Sequence, residues 1–179
     1  MADEHAECKG KPQCWTVIFD WSVEIWFRIE KDKDGYPRSK SWEQLLAWPV
    51  LERDDCFSIE SIPFFVKGVS RGDIVRARVA HDSRVQEGEF FEFETVVDSG
   101  GHDTYRILLR DKRADDPEFT EKELLEKGLA LEIDDGDFFA IDVPPSVDQN
   151  EIDVYLTSES RRGRWGLQDG CLSSVRTNS

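Results

Sequence analysis

From residue 15 to residue 29 every odd position is apolar: Trp15, Val17, Phe19, Trp21, Val23, Ile25, Phe27 and Ile29. The even positions include Thr16, Asp20, Ser22, Glu24 and Arg28. A repeat of two puts the apolar set on one sheet face, so this stretch reads as a long strand or two strands joined by a bend. Asp34-Gly35 then signals a turn. Residues 42–51 are ambiguous between a short helical turn and a strand, with Pro49 favouring a sheet edge. Residues 56–62 alternate weakly as a strand, and 63–68 (Pro-Phe-Phe-Val-Lys-Gly) read as a loop. In 74–79 the set Val75, Ala77, Val79 opposes Ile74, Arg76, Arg78, which predicts one apolar and one basic face. Phe91, Phe93, Thr95 and Val97 mark the next strand, 98–103 a turn, and 104–110 its hairpin partner.

The pattern then changes. Asp116 can cap a helix with Pro117 in its first turn and Gly128 at its end, and Phe119, Leu124 and Leu125 supply its apolar stripe. Residues 129–133 and 138–143 are strands around a turn at 134–137. Ser146 or Asp148 starts a second helix that turns Val147, Ile152, Tyr155 and Leu156 inward. Arg161, Arg162 and Arg164 complement the end of its dipole, and 165–167 is a last short strand. The expected fold class is therefore α+β. An N-terminal antiparallel sheet or small β-barrel (15–103) precedes a ferredoxin-like β-α-β-β-α-β unit (104–172), with tails at 1–14 and 173–179.

Six Trp and eleven Phe among 179 residues provide the apolar surface for a core. No run approaches the roughly 18 apolar residues of a membrane helix. The N-terminus carries Asp3, Glu4 and Glu7 instead of the basic start and apolar run of a signal peptide, which points to a cytoplasmic protein. Cys8, Cys14, Cys56 and Cys171 form no C-x-x-C pair and read as free thiols. Cys8, Cys14 and His5 match no standard zinc spacing, so neither metal nor cofactor is expected.

The net charge is −15, and it is uneven. Residues 115–153 hold fourteen carboxylates against Lys122 and Lys127, a local charge of −12. Such a field disfavours nucleic acid and anionic membrane and attracts basic protein surfaces. Within it, Glu132, Asp134, Asp135 and Asp137 flank a turn that could project them to a partner. Their spacing fits no EF-hand.

No common catalytic motif is present. Two local groupings could still carry chemistry. Phe64 and Phe65 in their loop, followed by Gly72-Asp73, could line a pocket between the two parts of the chain. His102 and Arg106, beside the Gly100-Gly101 turn, could supply a proton-transfer group and a bidentate anion contact.

The residues Tyr36-Pro37, Trp48, Ile62 to Val69, Gly72-Asp73, Ser99 to His102, Arg106, Ala140 to Pro145 and Gly163-Arg164-Trp165 resemble the bacterial domain-of-unknown-function family 4265. The likeness spans about 17–172. It departs at Gly100-Gly101, where a single Gly is expected, and at a charged insertion near 82–89. The resemblance brings no activity. Its association with secreted toxins implies an immunity role.

Two functions follow as expectations. The first is an immunity protein or inhibitor that covers the basic cleft of a toxin domain with Glu132, Asp134, Asp135 and Asp137. The second is a ligand-binding or hydrolase-like module lined by Phe64, Phe65, Asp73, His102 and Arg106.

Overall fold

The computed structural model describes residues 22–31, 40–82, 88–111 and 116–173. The predicted strand start at 15–21, the Asp34-Gly35 turn, both cysteines of the N-terminal tail, Asp115 and residues 174–179 lie outside them.

The strands β1 (Val23–Arg28), β2 (Trp42–Pro49), β3 (Cys56–Ile59), β4 (Ile74–His81) and β5 (Glu89–Asp98) form a closed barrel in sequence order. Neighbours are antiparallel except at the closure, where β1 runs parallel to β5 through Ile25↔Phe91 and Trp26↔Glu92. Closure pairs both sides of every strand and removes the edges of an open sheet. The alternation predicted for β1 is present in its described part: Ile25, Phe27 and Ile29 are buried. They join Leu45, Ala47, Phe57, Ile59, Val75 and Ala77 in one core. Fully burying each of the larger side chains stabilises the fold by roughly 1.5–3 kcal/mol. The ambiguous segment is strand β2, with Pro49 as its last residue, where a missing N–H does least harm to the ladder.

Two expectations fail here. Val79 is 53% exposed, and Val96 rather than Val97 packs on the core. The β4–β5 ladder shifts register between Ile74 and Val75 and between Arg76 and Ala77. The unpaired residues at these shifts, Val97 and Glu94, both lie in β5, so the inward phase set by Phe91 and Phe93 passes to Val96 instead of Val97. Strand β4 keeps its phase through Val75 and Ala77, and the pairing does not account for the exposure of Val79. The predicted hairpin between β5 and the following strand is also corrected. Strand β6 (Asp103–Leu109) leaves the barrel and pairs with strands much later in the chain, so 99–102 is a crossover.

The second sheet has the order β7-β8-β6-β9, with β7 (Ala130–Asp134), β8 (Phe138–Val143) and β9 (Trp165–Cys171), all neighbours antiparallel. Helices α1 (Pro117–Glu126) and α2 (Gln149–Arg161) sit between β6 and β7 and between β8 and β9, completing a β-α-β-β-α-β element order. Asp116 caps α1 by accepting from the Glu118 N–H, and Asp148 caps α2 by accepting from Asn150 and Glu151. One sheet face packs under the helices: Tyr105, Ile107, Leu109, Phe139, Ile141, Val143 and Trp165 meet Leu124, Ile152 and Leu156. The opposite face presents Thr104, Arg106, Ala140 and Asp142 toward the barrel, and all four are buried. The expected stripe on α1 is corrected: Leu124 is buried, whereas Phe119 and Leu125 are 63% and 49% exposed. The inward positions are Thr120 and Leu124, one turn apart.

Candidate functional site

The seam between barrel and sheet is where the polar chemistry of the chain collects. Its first part is the loop after β3. Glu43 Oε1 accepts from the Phe64 N–H at 2.6 Å, and Oε2 accepts from Phe65 and Val66 at 3.0 and 2.7 Å. From the sheet side, Arg106 Nε donates to the Pro63 carbonyl at 3.2 Å and Nη2 to the Val66 carbonyl. One carboxylate thus takes the loop's N–H groups, and one guanidinium takes its carbonyls. Arg106 is 1% exposed, and burial pulls its pKa below the usual guanidinium value. Phe64 and Phe65 pack in tilted contact with Phe138 of β8 at 5.5 and 5.9 Å between ring centres, and Lys40 sits 4.4 Å over the Phe65 ring.

The second part is a junction of short contacts. Asp73 is fully buried; Oδ2 accepts from Ser70 N–H at 2.7 Å and Oδ1 from Gly100 N–H at 2.9 Å. Thr104 donates to the Ser70 hydroxyl at 2.9 Å. A Cβ on Gly100 would lie 2.4 Å from the Gly72 carbonyl carbon, so two backbones touch here and only glycine fits. The two adjacent glycines divide the labour: Gly100 permits this approach, and Gly101 takes a φ of +77°.

The third part is an imidazole–carboxylate pair. His102 Nδ1 lies 2.8 Å from Asp142 Oδ1. The side chains are 20% and 2% exposed. Burial pushes the Asp142 carboxyl above the ordinary range, and the hydrogen bond from His102 opposes that shift. Asp103, next in sequence, faces away and accepts from Ser173 N–H at 2.6 Å. Gln149 Nε2 donates to the Gly101 carbonyl at 2.8 Å and holds the crossover against α2.

All five residues expected to line a pocket therefore meet at the seam. Two of them, Asp73 and Arg106, direct their polar atoms at protein backbone rather than at an open cleft. Sequence reasoning missed Glu43 and Asp142. Both carried a signal: Glu43 shares the inward phase of Leu45 and Ala47, and Asp142 is the lone charge in the six-residue strand Phe138–Val143.

The acidic run is distributed over several tasks. Glu132 Oε1 accepts from Ile62 N–H at 2.9 Å, and burial raises its pKa, so this carboxylate holds the loop at the seam. Asp134 approaches Lys40 at 3.6 Å. Asp135 is exposed with a φ of +53° at the β7–β8 turn, and the Asp137 carbonyl accepts from Leu109 N–H. Glu123 and Glu159 bind Arg164 at 3.0 and 3.2 Å, tying α1 and α2 to the start of β9. Asp153 accepts from the Tyr105 hydroxyl. Glu118 and Glu151 remain exposed on the helices, as do Glu126, beside Lys122, and the apolar Phe119, Leu125 and Val154. Among the described residues no helix is long and apolar enough to cross a membrane, and no group of three or more His, Cys, Asp or Glu could hold a metal ion.

Fold and site define a mixed α+β protein, a closed barrel docked on a four-stranded sheet with two helices behind it. The chain belongs to the family described as Domain of unknown function (DUF4265), which matches residues 43–167. A solved structure with a similar fold is that of a hypothetical protein from Neisseria gonorrhoeae. It is 16% identical, with a TM-score of 0.65 over 85% of this chain and 96% of the other. No curated protein matches.

Proposed function

We propose that this chain is an acidic binding protein that docks a basic protein partner on the outer surface of α1 and α2, as an immunity protein or inhibitor would cover the cleft of a toxin domain. One observation carries the reading. Phe119, Leu125 and Val154 are 63%, 49% and 68% exposed on the two helices, although the apolar pattern of α1 would turn the first two inward. Exposed apolar side chains within a charged rim have the anatomy of an interface core. Glu118, Glu126, Glu151 and Asp153 are exposed on the same two helices, and Val154 borders a surface concavity lined also by Asp153, Thr157, Ser158, Arg161 and Arg162. The net charge of −15 steers a basic partner toward the surface. In this reading Asp134 and Asp135 at the β7–β8 turn are peripheral, and Glu132 takes no part.

The ferredoxin-like description of 104–172 accompanies the proposal. It is supported by the order β7-β8-β6-β9 and by two helices that share one core.

The test is co-elution with the product of the neighbouring gene, at low and at moderate salt. Wild type should co-elute and weaken as salt rises. Phe119→Ser with Val154→Ser should abolish the complex, and Glu118→Lys with Glu151→Lys should slow its formation. Undiminished binding by both double variants overturns the assignment.

A further inference from the structure

The His102 ring has one nitrogen committed and one open. An ionised carboxylate only accepts hydrogen bonds, so Asp142 at 2.8 Å from Nδ1 sets the tautomer with the proton on Nδ1. Nε2 then carries the lone pair. No hydrogen bond to Nε2 occurs among the described residues, and the His102 side chain is 20% exposed. Gly72 lies against this edge of the ring: a Cβ there would stand 3.1 Å from Cδ2 and 3.2 Å from Nε2. Gly72's chain neighbour Arg71 pairs with Glu60 on the rim, its side chain 35% exposed. The crossover that carries His102 is held from three sides, by Asp73 through Gly100, by Gln149 through Gly101 and by Asp142 through the ring itself. A ring held this firmly, with a buried carboxylate behind it and an open nitrogen in front, is preorganised for proton transfer.

We propose that His102 Nε2 is a proton-accepting site for a small hydroxyl-bearing oxyanion, with Asp142 as its positioning residue and Arg71 as the cation at its rim. The ligand's O–H proton moves to Nε2, the bonding pair stays on the ligand oxygen, and the Asp142 carboxylate stabilises the imidazolium that forms. The proton returns by the same path, so the step needs no further reactant. This site lies at the barrel–sheet seam and is independent of the helical surface proposed for partner binding.

The experiment uses the full chain with 15N-labelled histidine. Wild type should show the neutral form of His102 as the Nδ1–H tautomer, with His81 as the exposed internal reference. Inorganic phosphate, which carries both a hydroxyl proton and negative charge, should shift the His102 Nε2 resonance saturably and leave His81 unaffected. Arg71→Ala should weaken that response severalfold. Diethyl pyrocarbonate should acylate His102, and Asp142→Asn, which removes the acceptor that fixes the ring tautomer, should slow this severalfold. Should Asp142→Asn fail to fold, the wild-type tautomer and phosphate titration decide alone. An Nε2–H tautomer, or a His102 resonance indifferent to phosphate, overturns the proposal.

Discussion

The Glu43 carboxylate and the Arg106 guanidinium hold the same four residues, 63–66, from opposite sides of their backbone. Glu43 comes from the barrel strand β2 and accepts from three N–H groups; Arg106 comes from the sheet strand β6 and donates to two carbonyls. Their charges act through the loop they share, and through it the barrel is fastened to the sheet.

Removing either partner should therefore destabilise the whole molecule. Glu43→Ala leaves three part-buried N–H groups without an acceptor and should cost about 2–4 kcal/mol. Arg106→Met leaves two buried carbonyls unpaired and should cost about 3 kcal/mol or more. The double variant should lose less than the sum, because a loop released on one side has less to lose on the other. Urea midpoints measure all three, and strictly additive losses would show that the two residues act independently.

Gly100 and Gly68 separate steric from conformational demand. Gly100→Ala drives a Cβ into the Gly72 backbone at 2.4 Å, which neither chain can relieve by moving a side chain. It should cost more than about 3 kcal/mol. Gly68 has a φ of +76° with open space around its Cβ position, so Gly68→Ala should cost only about 1 kcal/mol. Thermal melts of the two variants test the ranking.

Glu132 predicts a pH effect with a definite sign. Burial raises its folded pKa above the ordinary value of 4.5, so the folded state binds the proton more tightly than the unfolded one. Its contribution favours folding below about pH 4.5 and is lost as pH rises through the folded pKa. Glu132→Gln keeps an oxygen for the Ile62 N–H and removes the charge. Relative to wild type, the variant should gain stability on going from pH 4 to pH 7, as read by urea midpoints at each pH. A relative loss over that interval would contradict the raised pKa.

Helix α1 offers a direct comparison of faces. Leu124→Ala empties a fully buried site and should cost about 2–5 kcal/mol. Phe119→Ser, at 63% exposure, should change stability by no more than about 0.5 kcal/mol. The pair of unfolding curves checks whether the outward Phe119 is surplus to the fold, as a binding residue would be.

Much of the local structure was legible in the chain. The phase of β1, the cap at Asp116 and the bounds of β8 follow from alternation and capping chemistry, which act over a few residues, and Asp148 is one of the two caps these allow for α2. The inward phase of β5 beyond Phe93 was not legible, because a bulge leaves no mark in a hydrophobic pattern, whereas β4 follows its predicted faces through Arg78. The inward side of α1 was misread because Phe119 and Leu125 are as apolar as Leu124, and only packing against the sheet selects among them. For the seam, His102, Arg106, Asp73, Phe64 and Phe65 were recognisable as residue types suited to a site. Asp142 stands 40 positions from the imidazole it orients, and Glu43 more than twenty from the loop it holds.

By itself the sequence determined the α+β class, the order of the C-terminal elements and the acidic charge, since periodicity, capping and composition are properties of neighbouring residues. Only the tertiary structure decided that the barrel closes through a parallel pair and that β5 and β6 part company. It also decided that the acidic run is divided among caps, ion pairs and one histidine. Those outcomes depend on which distant groups a folded chain brings within hydrogen-bond range, and a buried charge takes the partner that the packing supplies.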